Sequence, residues 1–134
     1  MNIKSIIPRA APAALAILAV STNATYAGPQ DYEFQLVASE VKQGPEAEVS
    51  VKLINKRTGA PVPDAVIFTT RMDMAPDGME TMTTPVENLP ARQPGIYRFR
   101  SNLSMEGGWR FKMAVKVQGL VDTVQGEVIL KAIP

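Results

Sequence analysis

Methionines are the residues whose type and spacing most suggest chemistry in this chain. Four of its seven methionines fall within eleven residues, and another follows in a later glycine-rich stretch. The chain has no cysteine and no histidine, so thioethers are its only soft side-chain donors. Thioethers select soft ions such as Cu(I) and Ag(I), and they need not lose a proton to bind them. The candidate metal ligands are therefore Met72, Met74, Met79, Met82 and Met105.

The methionine stretch is predicted to form a β-hairpin with its turn at 75–78. Pro76 fixes a negative φ, which excludes a two-residue type I′ turn and favours a type I turn with Gly78 left-handed in a bulge. The expected register pairs Ala75 with Met79, Met74 with Glu80, and Met72 with Met82. Because side chains alternate along a strand, this register puts three methionines on one face and a fourth at the tip. The three are Met72, Met74 and Met82, and the fourth is Met79.

A packing role for the same methionines stays open. Methionine fills gaps in apolar cores and is common on adaptable protein-binding surfaces, so the hairpin could be a core edge or a docking patch. Met113 alternates with polar residues in a later strand and is assigned to packing. Trp109 could cap a copper ion through a cation–π contact or be a core tryptophan. The acidic residues among the methionines are interpreted as solvated turn residues, since their spacing matches no calcium loop. They are Asp73, Asp77, Glu80 and Glu106.

The elements that must position these residues are predicted to be strands. Seven segments show alternating apolar residues or β-forming composition between glycine, proline and asparagine signals. They cover 32–40, 46–54, 65–74, 79–86, 96–101, 109–118 and 121–130, the last with a bulge at Gly126. With no helical periodicity, this pattern predicts an all-β fold, an antiparallel immunoglobulin-like β-sandwich of about seven strands. A small Greek-key barrel is the alternative.

The first 27 residues have the pattern of a signal peptide. Lys4 and Arg9 give the first residues a positive charge, and an apolar run follows at 10–20. Small residues then precede a predicted cleavage site after Ala27. The apolar run is well short of the roughly 20 residues of a membrane-spanning helix, so no membrane anchor is expected after cleavage. The mature domain, 28–134, is therefore expected in the periplasm or outside the cell.

Charge and composition argue against two function classes. Fourteen basic residues include Lys4 and Arg9, so twelve remain in the mature segment against thirteen acidic residues. A net charge of −1 gives no electrostatic reason to expect nucleic acid as a partner. Without histidine or cysteine, neither a Ser-His-Asp nor a Cys-His unit can form, and a zinc site would need carboxylates alone. We therefore expect a protein that is not an enzyme.

Three sequence pieces carry a family resemblance. They are Gly59-Ala60-Pro61-Val62-Pro63-Asp64-Ala65, Pro94-Gly95-Ile96-Tyr97-Arg98-Phe99 and Leu103-Ser104-Met105-Glu106-Gly107-Gly108-Trp109-Arg110-Phe111. With the methionine hairpin between the first two, they resemble the YtkA-like/FixH-like family over nearly all of the mature chain. The resemblance implies a small exported immunoglobulin-like domain associated with copper handling, heavy-metal efflux or cytochrome oxidase assembly. Several relatives carry histidine in the equivalent loop, whereas this chain offers only thioethers.

Two functions follow as expectations. The first is a periplasmic soft-metal-binding module that holds Cu(I) through the methionine hairpin. The second is a metal-free accessory that docks on efflux or oxidase-assembly proteins through an apolar patch or an exposed edge strand.

Overall fold

Ten β-strands form two sheets that pack face to face in residues 28–134, the part of the chain that the computed structural model describes. The signal peptide predicted for 1–27 lies outside the described residues. The strands are β1 (Tyr32–Leu36), β2 (Glu40–Lys42), β3 (Gly44–Asn55), β4 (Ala60–Pro61), β5 (Val66–Met74), β6 (Met79–Thr84), β7 (Val86–Gln93), β8 (Ile96–Leu103), β9 (Gly107–Lys116) and β10 (Val124–Ile133). Over this range, no helix has the length and apolar character to cross a membrane.

The strand order confirms the antiparallel immunoglobulin-like β-sandwich. The first sheet has the order β1-β3-β8-β7, with β4 beside β3, and the second has the order β2-β10-β9-β5-β6. All pairs are antiparallel except β2 with β10, which run parallel. Two separate sheets, rather than one closed sheet, exclude the barrel alternative in the described residues.

Strand β9 shows most clearly how sequence alternation builds the core. Trp109, Phe111, Met113 and Val115 are buried, whereas Lys112 and Lys116 on the other side of the strand are exposed. The ring of Phe111 meets Phe99 of the other sheet edge-on, with 4.8 Å between ring centroids. Met113 is also buried, which confirms its assignment to packing.

Two predicted strands are divided between the sheets. The segment 32–40 was expected as one strand, but it forms β1 in the first sheet and continues into β2 in the second. The segment 79–86 ends as β6 at Thr84, and Pro85 carries the chain across to β7 in the first sheet. Strand β7 was not predicted, because Pro90 and its polar neighbours hide any alternation. With the short strand β4, which was also not predicted, the count is ten strands rather than about seven.

The bulge predicted at Gly126 is also wrong. Gly126 pairs in regular register with Met113, and the ring of Phe34 lies against it from the first sheet. A side chain at Gly126 would overlap that ring. This glycine therefore permits close packing of the two sheets and does not interrupt the strand.

Candidate metal site at the hairpin end of the sandwich

The methionine hairpin turns through a short 3-10 segment, Ala75–Asp77, followed by Gly78. Gly78 has φ 76° and donates its N–H to the Ala75 carbonyl at 2.9 Å, so the left-handed glycine is confirmed. The predicted register is wrong. The observed pairs are Met72 with Thr84, Asp73 with Thr83, and Met74 with Met79, with an irregularity between Asp73 and Met74. Residues 80–82 of β6 therefore have no partner between Asp73 and Met74, although the turn itself lies at 75–78 as predicted.

Asp73 fixes the strand that leads into this turn. Its Oδ1 accepts the Ala75 N–H at 3.0 Å, and its Oδ2 accepts Arg71 Nε at 2.8 Å and Arg110 Nη2 at 2.9 Å. The Asp73 side chain is fully buried, so its assignment to a solvated turn is wrong. Burial by itself would raise the pKa of Asp73, but the hydrogen bonds from Arg110, Ala75 and Arg71 outweigh it and hold that pKa below its usual value. A charged carboxylate therefore fixes the hairpin to β9.

The turn also closes over the beginning of β9. The Gly108 N–H donates to the Asp77 carboxylate at 3.2 Å. A Cβ at Gly107 would overlap that carboxylate, and one at Gly108 would overlap Pro76. The two glycines are thus required because the hairpin turn lies directly on their backbone.

Trp109 belongs to the core. Its side chain is 1% exposed, and its Nε1–H donates to the Met105 carbonyl at 3.0 Å. That bond satisfies the only polar group of the indole and ties the loop before β9 to the core. Of the two interpretations of this residue, the structure supports packing.

The five candidate methionines separate into two groups by burial. Met72 and Met74, the inner methionines, are fully buried core residues. Met79 and Met82 are partly buried against the core, and Met105 is 40% exposed; these three are the outer methionines. Three methionines were expected to share one face of the hairpin, namely Met72, Met74 and Met82. All three belong to the core or pack against it, so this face points into the sandwich.

The hairpin and the loop that carries Met105 lie at the same end of the sandwich. The methyl group of Met74 lies 3.3 Å from the position that a Cβ on Gly107 would take, so the hairpin touches the chain two residues after Met105. Residues 28–134 contain no group of three or more His, Cys, Asp or Glu side chains that could hold a metal ion. Any soft-metal site at this end would therefore depend on thioethers.

The opposite end of the sandwich is closed by Tyr97, which the sequence analysis did not single out for a role. Its hydroxyl donates to the Val62 carbonyl at 2.5 Å and accepts the Ala65 N–H at 3.0 Å. Burial raises the pKa of Tyr97. Gly95 has φ 82°, and a side chain there would overlap Pro61. The first two motif pieces therefore meet in a purely structural contact, which we call the Tyr97 clamp.

Together, the two sheets and their closed ends define the class of this protein by its architecture, an immunoglobulin-like β-sandwich domain. Residues 26–114 match the family described as YtkA-like, which is two thirds of the chain, and the chain belongs to that family.

Other comparisons add likenesses of fold. No curated protein matches the chain. The crystal structure of the Lin-41 filamin domain is similar at 19% identity and a TM-score of 0.48, covering 80% of this chain and 98% of that one. A conjugative transposon lipoprotein from Bacteroides eggerthii is similar at 13% identity and a TM-score of 0.33, with 75% and 96% covered. The ZirS C-terminal domain is similar at 12% identity and a TM-score of 0.40, with 90% and 86% covered.

Proposed function

We propose that this protein is an exported module that binds Cu(I), or the related ion Ag(I), and serves copper handling or efflux. The ligands are the outer methionines, Met79, Met82 and Met105. One observation carries the proposal: these three thioethers keep access to solvent at one end of the sandwich, in a chain without cysteine or histidine. The inner methionines belong to the buried core against which Met79 and Met82 pack.

The chemistry of the donors suits this role. Thioethers prefer soft monovalent ions over zinc, and they withstand an oxidising compartment that would convert thiols to disulfides. Asp77, Glu80 and Glu106 are exposed at the same end and favour the approach of a cation. The proposal that the protein is exported depends on the signal pattern of residues 1–27 and on the resemblance of the chain to a family of exported domains associated with copper handling.

A competition titration tests the metal site. The mature protein is titrated with Cu(I) against a chromophoric chelator without oxygen, beside a variant with Met79→Leu, Met82→Leu and Met105→Leu. Leucine keeps volume and hydrophobicity but removes sulfur. We expect one-to-one binding by the wild type and a loss of about 100-fold or more in the variant, as for removal of metal-site groups.

The matched control is the inner variant, Met72→Leu with Met74→Leu. Its Cu(I) affinity should stay within about threefold of wild type, a free-energy difference of less than about 1 kcal/mol. Absence of Cu(I) binding by the wild type, or an equal loss in both variants, would refute the proposed site.

A metal-free interaction accessory is the second candidate function. The observation in its favour is a set of large apolar side chains left exposed on the second sheet, among them Phe68 at 53% and Ile129 at 51%. Under this function, the outer leucine variant should keep its protein partner, because its apolar surface is unchanged.

A further inference from the structure

The outer face of the first sheet is covered by paired charges. Arg98 lies between β3 and β7 and binds Glu48 with Nε–Oε2 at 2.9 Å and a second bond at 3.0 Å. Arg100 approaches Glu87 at 3.4 Å and Glu46 at 4.0 Å. The hydrogen bond from Arg98 holds the pKa of Glu48 below its usual value. Both arginines of β8 on this face are therefore paired with carboxylates.

The outer face of the second sheet has more cations than carboxylates on its three central strands. The register places five cations on the outward side of β5, β9 and β10, against the two carboxylates of Asp73 and Glu127. The cations are Arg71, Arg110, Lys112, Lys116 and Lys131. Asp73 is already bound by both arginines, and none of the three lysines has an ion pair within 4.0 Å in the described part of the chain. Three strands thus carry a net charge of +3 in a mature segment whose net charge is −1.

A groove of about 840 Å³ lies on this same face. The register of β5 against β9 shifts between Ile67 and Thr69, which leaves Phe68 as an extra residue beside the groove. Ala114 leaves space on the neighbouring strand, and Arg71 and Lys112 line the groove next to it. The groove therefore combines an aromatic wall with cations.

The Arg71 side chain is fixed by hydrogen bonds, yet its guanidinium stays accessible to solvent. Its Nε donates to Asp73, and its Nη2 donates to the Glu80 carbonyl at 2.8 Å, while its side chain stays 47% exposed. A guanidinium fixed in this way loses little side-chain entropy when it binds a carboxylate. Lys112, in register with Arg71, adds a second positive charge beside it.

We propose that this groove binds an acidic peptide segment of a partner protein, with an apolar side chain of that segment against Phe68. Charge complementarity selects the acidic segment, and the aromatic wall selects its apolar residue. A membrane surface fits less well, because a flat anionic surface cannot enter a concave groove, whereas an extended peptide can lie along Arg71 and Lys112 on the side away from Glu127. The groove lies on the face of the sheet, so the inference does not rest on the proposed metal function.

The test uses the mature protein and labelled peptides in fluorescence anisotropy. The acidic probe alternates aspartate with phenylalanine, and the comparison probes replace aspartate by asparagine or by lysine. We expect the acidic probe to bind at least tenfold more tightly than either. Lys112→Glu should weaken its binding at least tenfold and Phe68→Ser at least fivefold.

The matched control is Lys52→Glu, which makes the same charge change on the first sheet. It should change affinity by less than twofold. Equal weakening by Lys112→Glu and Lys52→Glu, or equal binding of the three probes, would overturn the inference. Binding to phosphatidylserine-containing vesicles with no binding of the acidic peptide would overturn it in favour of a membrane.

A second measurement places the peptide on the protein. Amide chemical shifts of the wild type, recorded during addition of the acidic probe, should move in 66–71 and 110–116 and stay fixed in 96–102 on the first sheet. Shifts centred on the hairpin turn would contradict the proposed groove.

Discussion

The two ends of the sandwich are closed by different chemistry. At one end, the Tyr97 clamp uses neutral groups, a phenol hydroxyl and two backbone groups. At the other, the hairpin end, a buried carboxylate binds two arginines and a backbone N–H, and a second carboxylate binds Gly108. Both ends use residues of the family motifs, but only the hairpin end adds thioethers with access to solvent.

The contrast between the two ends separates motif residues with a structural role from residues that could bind a ligand. Gly95, Tyr97 and the pair Gly107-Gly108 are explained by contacts of backbone and side chain. Packing accounts for the outer methionines less completely, because Met79 and Met82 are only partly buried against the core and Met105 is exposed. The two ends can therefore be perturbed independently.

The largest effect is expected at the hairpin end, from Asp73→Ala. The variant leaves two arginines without their buried partner and removes the acceptor of the Ala75 N–H. Loss of one partner of a buried ion pair costs about 3 kcal/mol or more, and we expect about 3 because Arg71 can reach solvent. Urea unfolding measures the change, with exposed Asp64→Ala as control at about 0.5 kcal/mol or less. A loss below about 1 kcal/mol for Asp73→Ala would show that the carboxylate does not hold this end.

Acid should weaken the same end. The pKa of Asp73 is lowered in the folded protein, so the unfolded chain binds its proton first as pH falls. The stabilisation is complete above the unfolded pKa of about 3.9 and is lost as pH falls through the lower folded pKa. Urea unfolding of wild type and Asp73→Asn across this range should show a steeper acid loss in the wild type. Parallel pH curves would contradict the assignment.

A smaller effect is expected at the other end, from Tyr97→Phe. Removal of the hydroxyl leaves the Val62 carbonyl and the Ala65 N–H without this partner, which costs about 1.5 kcal/mol. Tyr32→Phe is the matched control and should change the unfolding free energy by about 0.5 kcal/mol or less. Cu(I) affinity should be the same in both variants, and a loss of affinity in Tyr97→Phe would show that the ends are coupled.

Local patterns in the sequence predicted a large part of the fold. The alternation in β9 gave its buried face, and Pro76 with Gly78 gave a turn with a left-handed glycine, because both depend on neighbouring residues. The division of 32–40 between two sheets was not predictable from alternation, since pairing partners far along the chain decide it.

The register of the hairpin could not be predicted for a similar reason. It depends on Asp73, whose burial requires Arg110, 37 residues away. One local signal was present, because an aspartate two residues before a turn N–H is typical of an Asx turn, as Asp73 and Ala75 form. The separation of inner from outer methionines follows from this register and from the packing of the two sheets. Composition alone could identify the five candidate methionines, but it could not show which of them are exposed to solvent.

Methyl NMR tests most directly which thioethers bind metal. The mature segment has six methionines, so a protein with labelled methionine methyl groups gives one signal for each. On addition of Ag(I), a redox-stable substitute for Cu(I), we expect the signals of Met79, Met82 and Met105 to shift together and saturate at one equivalent. The signals of Met72, Met74 and Met113 should stay fixed. Shifts of the buried methionines alone, or no shift in any of the six, would contradict a soft-metal site at the hairpin end.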